Sequence, residues 1–134
     1  MKQITFILLI SLAFSSCSSP EELRTTDLNV PDIIGKWKLV EYYVSPGGET
    51  TWQTAEDGYE YTFTAKGDFM SSQEETCPGT YALNGEKIVI KPTCEGGGEK
   101  EPYTMIINSI NQSDLELRFE GCIEACIYRF KKLE

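Results

Sequence analysis

The chain has 134 residues, of which 40% are hydrophobic and 25% charged, a composition that suits one domain with a core rather than a disordered segment. Its 12 Lys and Arg against 21 Asp and Glu leave a net charge of -9, which argues against nucleic acid as a partner and against electrostatic adhesion to anionic lipid, since both need a basic surface. There is no histidine, so a Ser-His-Asp hydrolase, a histidine metal site and histidine acid–base catalysis are excluded.

Lys2 opens the chain, and an apolar run follows from Ile4 through Phe14. That run is too short to span a bilayer, which takes about 20 apolar residues. A charged start with a short apolar middle is the pattern of a secretion signal. It ends in Phe14-Ser15-Ser16-Cys17. Small residues directly before a cysteine resemble the lipobox of bacterial lipoproteins, although Phe14 stands where most lipoboxes carry Leu. The resemblance implies a signal peptide over residues 1–16, cleavage before Cys17, and lipid on the Cys17 sulfur and amino group. It also implies a bacterial outer-membrane address, on the periplasmic or cell-surface face. Ser18-Ser19-Pro20-Glu21-Glu22 is similar to the surface-export signal of some Bacteroidetes lipoproteins, and reads equally as a solvated linker. Residues 17–32 then form a flexible tether ahead of a domain over residues 33–134.

The domain shows no long helical periodicity. Short segments rich in β-branched and aromatic residues alternate instead with turn residues. Candidate strands cover 36–44, 59–65, 68–73, 79–83, 86–91, 103–110, 113–120 and 125–132. The third-last is long and apolar, and the second-last is the most explicit, with Leu115, Leu117 and Phe119 alternating against Glu116, Arg118 and Glu120. Asn84-Gly85 between two such segments predicts a type I′ hairpin turn. Eight strands with mostly tight connections predict an all-β, antiparallel up-and-down barrel. A two-sheet sandwich is the alternative.

Two connections are long. Residues 45–58 carry Pro46-Gly47-Gly48 and Trp52, and residues 93–101 carry Gly96-Gly97-Gly98 among Glu95, Glu99 and Glu101. No helix follows the glycines and their flanks are acidic, so phosphate binding is not expected. The acids do not have EF-hand spacing, so no calcium site is expected either.

With Cys17 taken by lipid, Cys77, Cys94, Cys122 and Cys126 remain. An exported compartment is oxidising, and an even count points to two disulfides. In a hairpin turning at Asn84-Gly85, Leu83 faces Glu86 and Cys77 falls opposite Pro92, one step from Cys94. Cys122 and Cys126 share one short loop. The expected pairs are Cys77–Cys94 and Cys122–Cys126. A four-thiolate zinc site is the rival, but the close Cys-x2-Cys pairs it usually uses are missing. No cofactor and no metal are expected.

The segment Ile34-Gly35-Lys36-Trp37-Lys38-Leu39-Val40 resembles the Gly-x-Trp motif that opens lipocalins. Tyr61-Thr62-Phe63-Thr64-Ala65-Lys66-Gly67-Asp68-Phe69 and Gly79-Thr80-Tyr81-Ala82-Leu83-Asn84-Gly85 follow in order. The set is similar to the lipocalin-like domains of Bacteroidetes lipoproteins. The resemblance implies that Gly35 and Trp37 close one end of the barrel. It also implies that an Arg of the last strand lies over the Trp37 ring, with Arg129 the candidate and Arg118 the runner-up.

A barrel of eight strands is either filled by side chains or holds one small ligand. The expected interior comprises Trp37, Leu39, Tyr61, Phe63, Leu83, Ile88, Ile90, Leu115, Leu117, Phe119 and Phe130. Glu41 shares strand parity with Trp37 and Leu39 and points inward unless the strand bends. Tyr43, Trp52, Tyr59 and Phe69 are candidates for the mouth. With Glu41, Tyr61 and Phe63 they form the expected ligand-binding set. The function expected is non-enzymatic binding of a small apolar molecule. The alternative is a filled barrel acting as a protein-interaction or structural accessory. A cavity of roughly 300 Å³ or more would favour the first, an exposed apolar patch the second.

Overall fold

The computed structural model describes residues 33–45, 47–96 and 100–134. The expected signal peptide (1–16), lipidation site Cys17 and tether (17–32) lie outside the described residues, as do Pro46, Gly97, Gly98 and Glu99. The strands are β1 (Gly35–Val44), β2 (Gln53–Thr54), β3 (Glu60–Phe63), β4 (Asp68–Ser71), β5 (Gly79–Asn84), β6 (Lys87–Pro92), β7 (Tyr103–Ile110), β8 (Asp114–Phe119) and β9 (Cys126–Leu133). All pairings are antiparallel between sheet neighbours, and β1 pairs with β9 from Lys36↔Leu133 to Val44↔Cys126. Eight strands therefore close a barrel, and the two-sheet alternative is set aside. β2 is the element that sequence periodicity does not reveal. Two residues are too few to show a period, and they pair only at Glu41↔Thr54 and Tyr42↔Gln53, above the point where β3 has left β1.

Apolar alternation sets which face is inside. Trp37, Phe63, Phe69, Ile88, Ile90, Met105, Leu115, Leu117 and Phe130 are each at most 2% exposed, and Leu39, Tyr61 and Ile107 join them in one core. Of the expected interior, Leu83 and Phe119 are only partly buried and pack at its edge.

Two register shifts govern the outer wall. On β1 the pairing runs Leu39↔Phe130 and then Glu41↔Arg129, leaving Val40 as an extra residue. On β7 it runs Ile107↔Leu117 and then Ser109↔Glu116. A bulge of one residue reverses the parity of everything beyond it. Glu41 is thereby turned to the outer wall, where it pairs with Arg129, and Tyr42 takes the inward place.

The β5–β6 hairpin corrects the expected turn. Its end pair is Asn84↔Lys87, so the two central residues are Gly85-Glu86. Gly85 has φ of 59°, and none of the described non-glycine residues has positive φ. Left-handed backbone at the first central position alone is the II′ pattern, which wants glycine there. Moving the turn by one residue moves every cross-strand partner by two. Thr93 N donates to Pro78 O at 2.6 Å and Glu95 N to Thr76 O at 2.9 Å, so Cys77 falls directly opposite Cys94. Both expected disulfides, Cys77–Cys94 and Cys122–Cys126, are formed, which removes the four-thiolate zinc alternative.

Candidate binding site at the barrel mouth

The inward rows continue one step past the core toward the end that carries the long loops. Four of them, the rows of β3, β7, β8 and β9, end there in an aromatic ring. Tyr59 precedes Tyr61 and Phe63, Tyr103 precedes Met105, Phe119 follows Leu117, and Tyr128 precedes Phe130. These rings surround an open cup of about 460 Å³, to which Ser71, Gln73, Glu74 and Lys100 add polar groups. Its floor is closed by packing below. Tyr61 stacks on Phe130 with centroids 5.1 Å apart and meets Phe69 edge-on at 5.1 Å. A second cleft of about 640 Å³ adjoins the cup through Tyr59, Gln73 and Tyr128, and carries Glu56 and Asp57 on its rim.

The rings stand at different inclinations. Tyr103 is stacked on Phe119 at 6.2 Å, Phe119 meets Tyr128 edge-on at 5.3 Å, and Tyr59 is tilted against Tyr61 at 5.0 Å. Burial pushes the Tyr59 phenol up to about 12, with the hydrogen bond from Tyr61 pulling the other way. Burial also pushes Tyr103 up to about 12, and the nearby charge of Glu74 adds to it. Tyr61 is raised further by burial, and Tyr128 is raised from the same cause. All four are therefore neutral phenols at neutral pH. The Tyr61 hydroxyl donates to that of Tyr59 at 3.5 Å, the long limit of a hydrogen bond.

The loops around the cup are cross-tied. Cys77–Cys94 joins the β4–β5 loop to the β6–β7 loop, and Lys100 pairs with Glu74 across the same two loops at 2.6 Å. Ser45 Oγ donates to the Glu124 carboxylate, fastening the start of the first long loop to the β8–β9 loop.

The expected ligand set is split by the structure. Tyr59 and Tyr61 line the cup. Phe63 and Phe69 lie in the core, 1% and 2% exposed. Glu41, Tyr43 and Trp52 do not line the mouth. Glu41 binds Arg129 at 3.2 Å, and Trp52 packs on Tyr43 with centroids 5.6 Å apart, all beyond the β1 bulge on the outer wall. Arg129 is not over Trp37. Its guanidinium lies 3.6 Å from the Trp52 ring centroid and is held by Glu116 at 2.8 Å. The cation over Trp37 is Lys132, at 5.0 Å. The pairing explains the exchange, because Trp37 sits opposite Lys132 and Arg129 sits opposite Glu41. A side chain on Gly35 would collide with Lys132, whose Cε stands 2.6 Å from where a Cβ would be, so Gly35 makes room for that cation. Trp37 Nε1 donates to Ile33 O at 2.8 Å and completes the closed end.

Sequence reasoning missed Tyr103, Phe119 and Tyr128 as mouth residues. The signal was present, since each is the next inward position beyond a core residue on its strand. Lys100, Glu74 and Gln73 come from loops whose course no periodicity reports.

The family model that matches describes a lipocalin-like domain and covers residues 33–117, more than half of the chain. Among solved structures, a lipocalin-like protein from Bacteroides uniformis is similar at 24% identity and a TM-score of 0.57, over 76% of this chain and 99% of that one. A lipocalin-like protein from Bacteroides thetaiotaomicron is similar at 21% identity and a TM-score of 0.45, over 76% of this chain and 97% of that one. No curated protein matches. The first of these likenesses supports the fold, the sequence match carries the family, and the chain belongs to the lipocalin-like domain family.

Proposed function

We propose that the protein is a non-enzymatic, lipid-anchored binding protein of the bacterial outer membrane that holds a small, largely apolar molecule at the barrel mouth. The observation that carries this reading is the aromatic cup of about 460 Å³ above a filled floor. Its volume falls in the range of small-molecule sites, and its lining of rings with a few polar groups is their usual chemistry. The ligand sits at the mouth and not deep in the barrel, because Phe63, Phe69, Tyr61 and Phe130 occupy the interior. Two disulfides support export to an oxidising compartment, in keeping with lipid on Cys17. The test is a native mass spectrum of the protein purified from its own host, before and after mild organic extraction. A bound small molecule lost on extraction is the expected result. An unliganded mass in both samples counts against the reading. Anchoring is tested separately, by palmitate labelling of the protein and of Cys17→Ala, which should lose the label.

One observation favours a second reading. Ile123 is fully exposed at the tip of the loop closed by Cys122–Cys126, beside the mouth. An apolar side chain on a stapled loop suits docking to a protein partner. Under that reading Ile123→Asp abolishes pull-down of the partner and leaves small-molecule binding intact.

A further inference from the structure

We propose that the molecule held at the mouth is an organic cation, an amine or quaternary ammonium with an apolar body. The inference rests on the mouth being the binding site and adds the sign of the ligand's charge.

Ring faces carry negative quadrupole density and attract a cation within about 6 Å of the centroid, more strongly where water is excluded. The cup offers five such rings at differing inclinations, with Tyr128 nearly perpendicular to Phe119 and Tyr59 tilted against Tyr61. Rings set at such differing inclinations offer an entering cation more than one direction in which to approach a ring face. Inside the cup Glu74 and Lys100 pair and cancel, so the uncompensated fixed charges nearest it are the carboxylates of the adjoining cleft. Glu74 lines the cup, and Glu56 and Asp57 line the adjoining cleft. The cation that lines the cup, Lys100, is already neutralised by Glu74 at 2.6 Å. Beyond them the whole chain carries a charge of -9, which concentrates cations at its surface and repels anions. An anionic ligand would need Lys100 released from Glu74 and would leave that carboxylate facing it. A cation needs no such exchange. The phenols stay neutral, so they add hydrogen-bonding oxygens without cancelling the ring attraction.

The test compares three probes sharing one phenol ring: (3-hydroxyphenyl)trimethylammonium, its uncharged isostere 3-tert-butylphenol, and 3-hydroxybenzoate. Binding is measured by calorimetry to the full chain in lipid nanodiscs, with empty nanodiscs subtracted. The cation should bind at least about tenfold more tightly than the isostere, as expected for cation–π attraction in a partly desolvated site. The benzoate should bind most weakly. Raising the salt should shrink the spread. Tyr128→Leu and Tyr59→Leu should remove the cation's advantage while keeping the isostere within a few-fold of its original affinity. Equal binding of cation and isostere, or preference for the benzoate, overturns the charge assignment and leaves the mouth as an apolar site. Binding of none of the three overturns both.

Discussion

At one end of the barrel β3–β4, β5–β6 and β7–β8 turn within a few residues, and Trp37 is fully buried with its indole N–H satisfied by Ile33. At the other end the connections are long, both disulfides are found, and the aromatic rings are half open to solvent. The closed end is held by packing, whose contribution grows with apolar area removed from water. The mouth cannot be held that way, because rings packed to core density would leave no cup. Covalent and ionic ties between loops take over where packing has been given up. One of the strand pairings follows this division. β1 and β9 are paired along their whole length, whereas β4 and β5 pair at Asp68↔Thr80 and Phe69↔Gly79 and then diverge toward the mouth. The Cys77–Cys94 bridge lies just beyond that divergence.

Substitutions can set the two ends against each other. Trp37→Ala should have the largest effect, about 3–5 kcal/mol of lost stability, because it removes the largest fully buried side chain and strands the Ile33 carbonyl. Chemical denaturation measures it, and a loss below about 1 kcal/mol would mean that the closed end is not what holds the barrel. The double variant Cys77→Ser with Cys94→Ser opens a loop with a sequence separation of 17 and should cost about 3 kcal/mol. Its signature is local. Hydrogen exchange should accelerate in residues 72–78 and 93–96, while Trp37 and β1 keep their protection. Equal acceleration at both ends would break the division argued above.

Most of the barrel could be read from alternation. The strands and the disulfide pairing followed from apolar periodicity, turn residues and cysteine spacing, and the closed end at Trp37 from the resemblance of its Gly-x-Trp segment to lipocalins. What could not be read is parity beyond a bulge. Nothing in Leu39-Val40-Glu41 announces that Val40 is extra. That one residue moved Glu41 and Tyr43 from the mouth to the wall and brought Arg129 under Trp52. The β5–β6 turn illustrates the same sensitivity in the opposite direction. Asn-Gly marks a turn reliably but does not say which of its residues is central. Moving the turn by one residue brought Cys77 into line with Cys94.

Alkaline titration probes the mouth once the Tyr59→Phe with Tyr103→Phe variant is subtracted, because Tyr81 outside the cup is raised by burial as well. Tyr59 and Tyr103, both raised to about 12 chiefly by burial, should ionise about two units above a free phenol near 10, as read by phenolate absorbance. Their folded pKa values lie above the unfolded ones. The unfolded chain thus loses these protons first, and the stability they contribute is intact below pH 10 and lost as pH rises toward 12. Tyr59→Phe with Tyr103→Phe should flatten that part of the stability profile. An unchanged profile would mean that the cup rings are already solvated.

The smallest effect is expected on the wall. Trp52 covers Arg129, but Glu41 and Glu116 also hold that guanidinium, and the Arg129 side chain is 43% exposed. Exposed cation–π and ion pairs contribute little. Trp52→Ala should therefore cost less than about 1 kcal/mol and should loosen residues 47–58 to limited proteolysis. Binding at the mouth should be unchanged, since Trp52 reaches neither the cup nor the adjoining cleft. A variant that kept its stability but lost ligand would put the first long loop across the mouth when a ligand is bound. The two ends would then be coupled through the wall, and the loop that β2 pins to β1 would have to detach from Glu41 and Tyr42 on each cycle of binding.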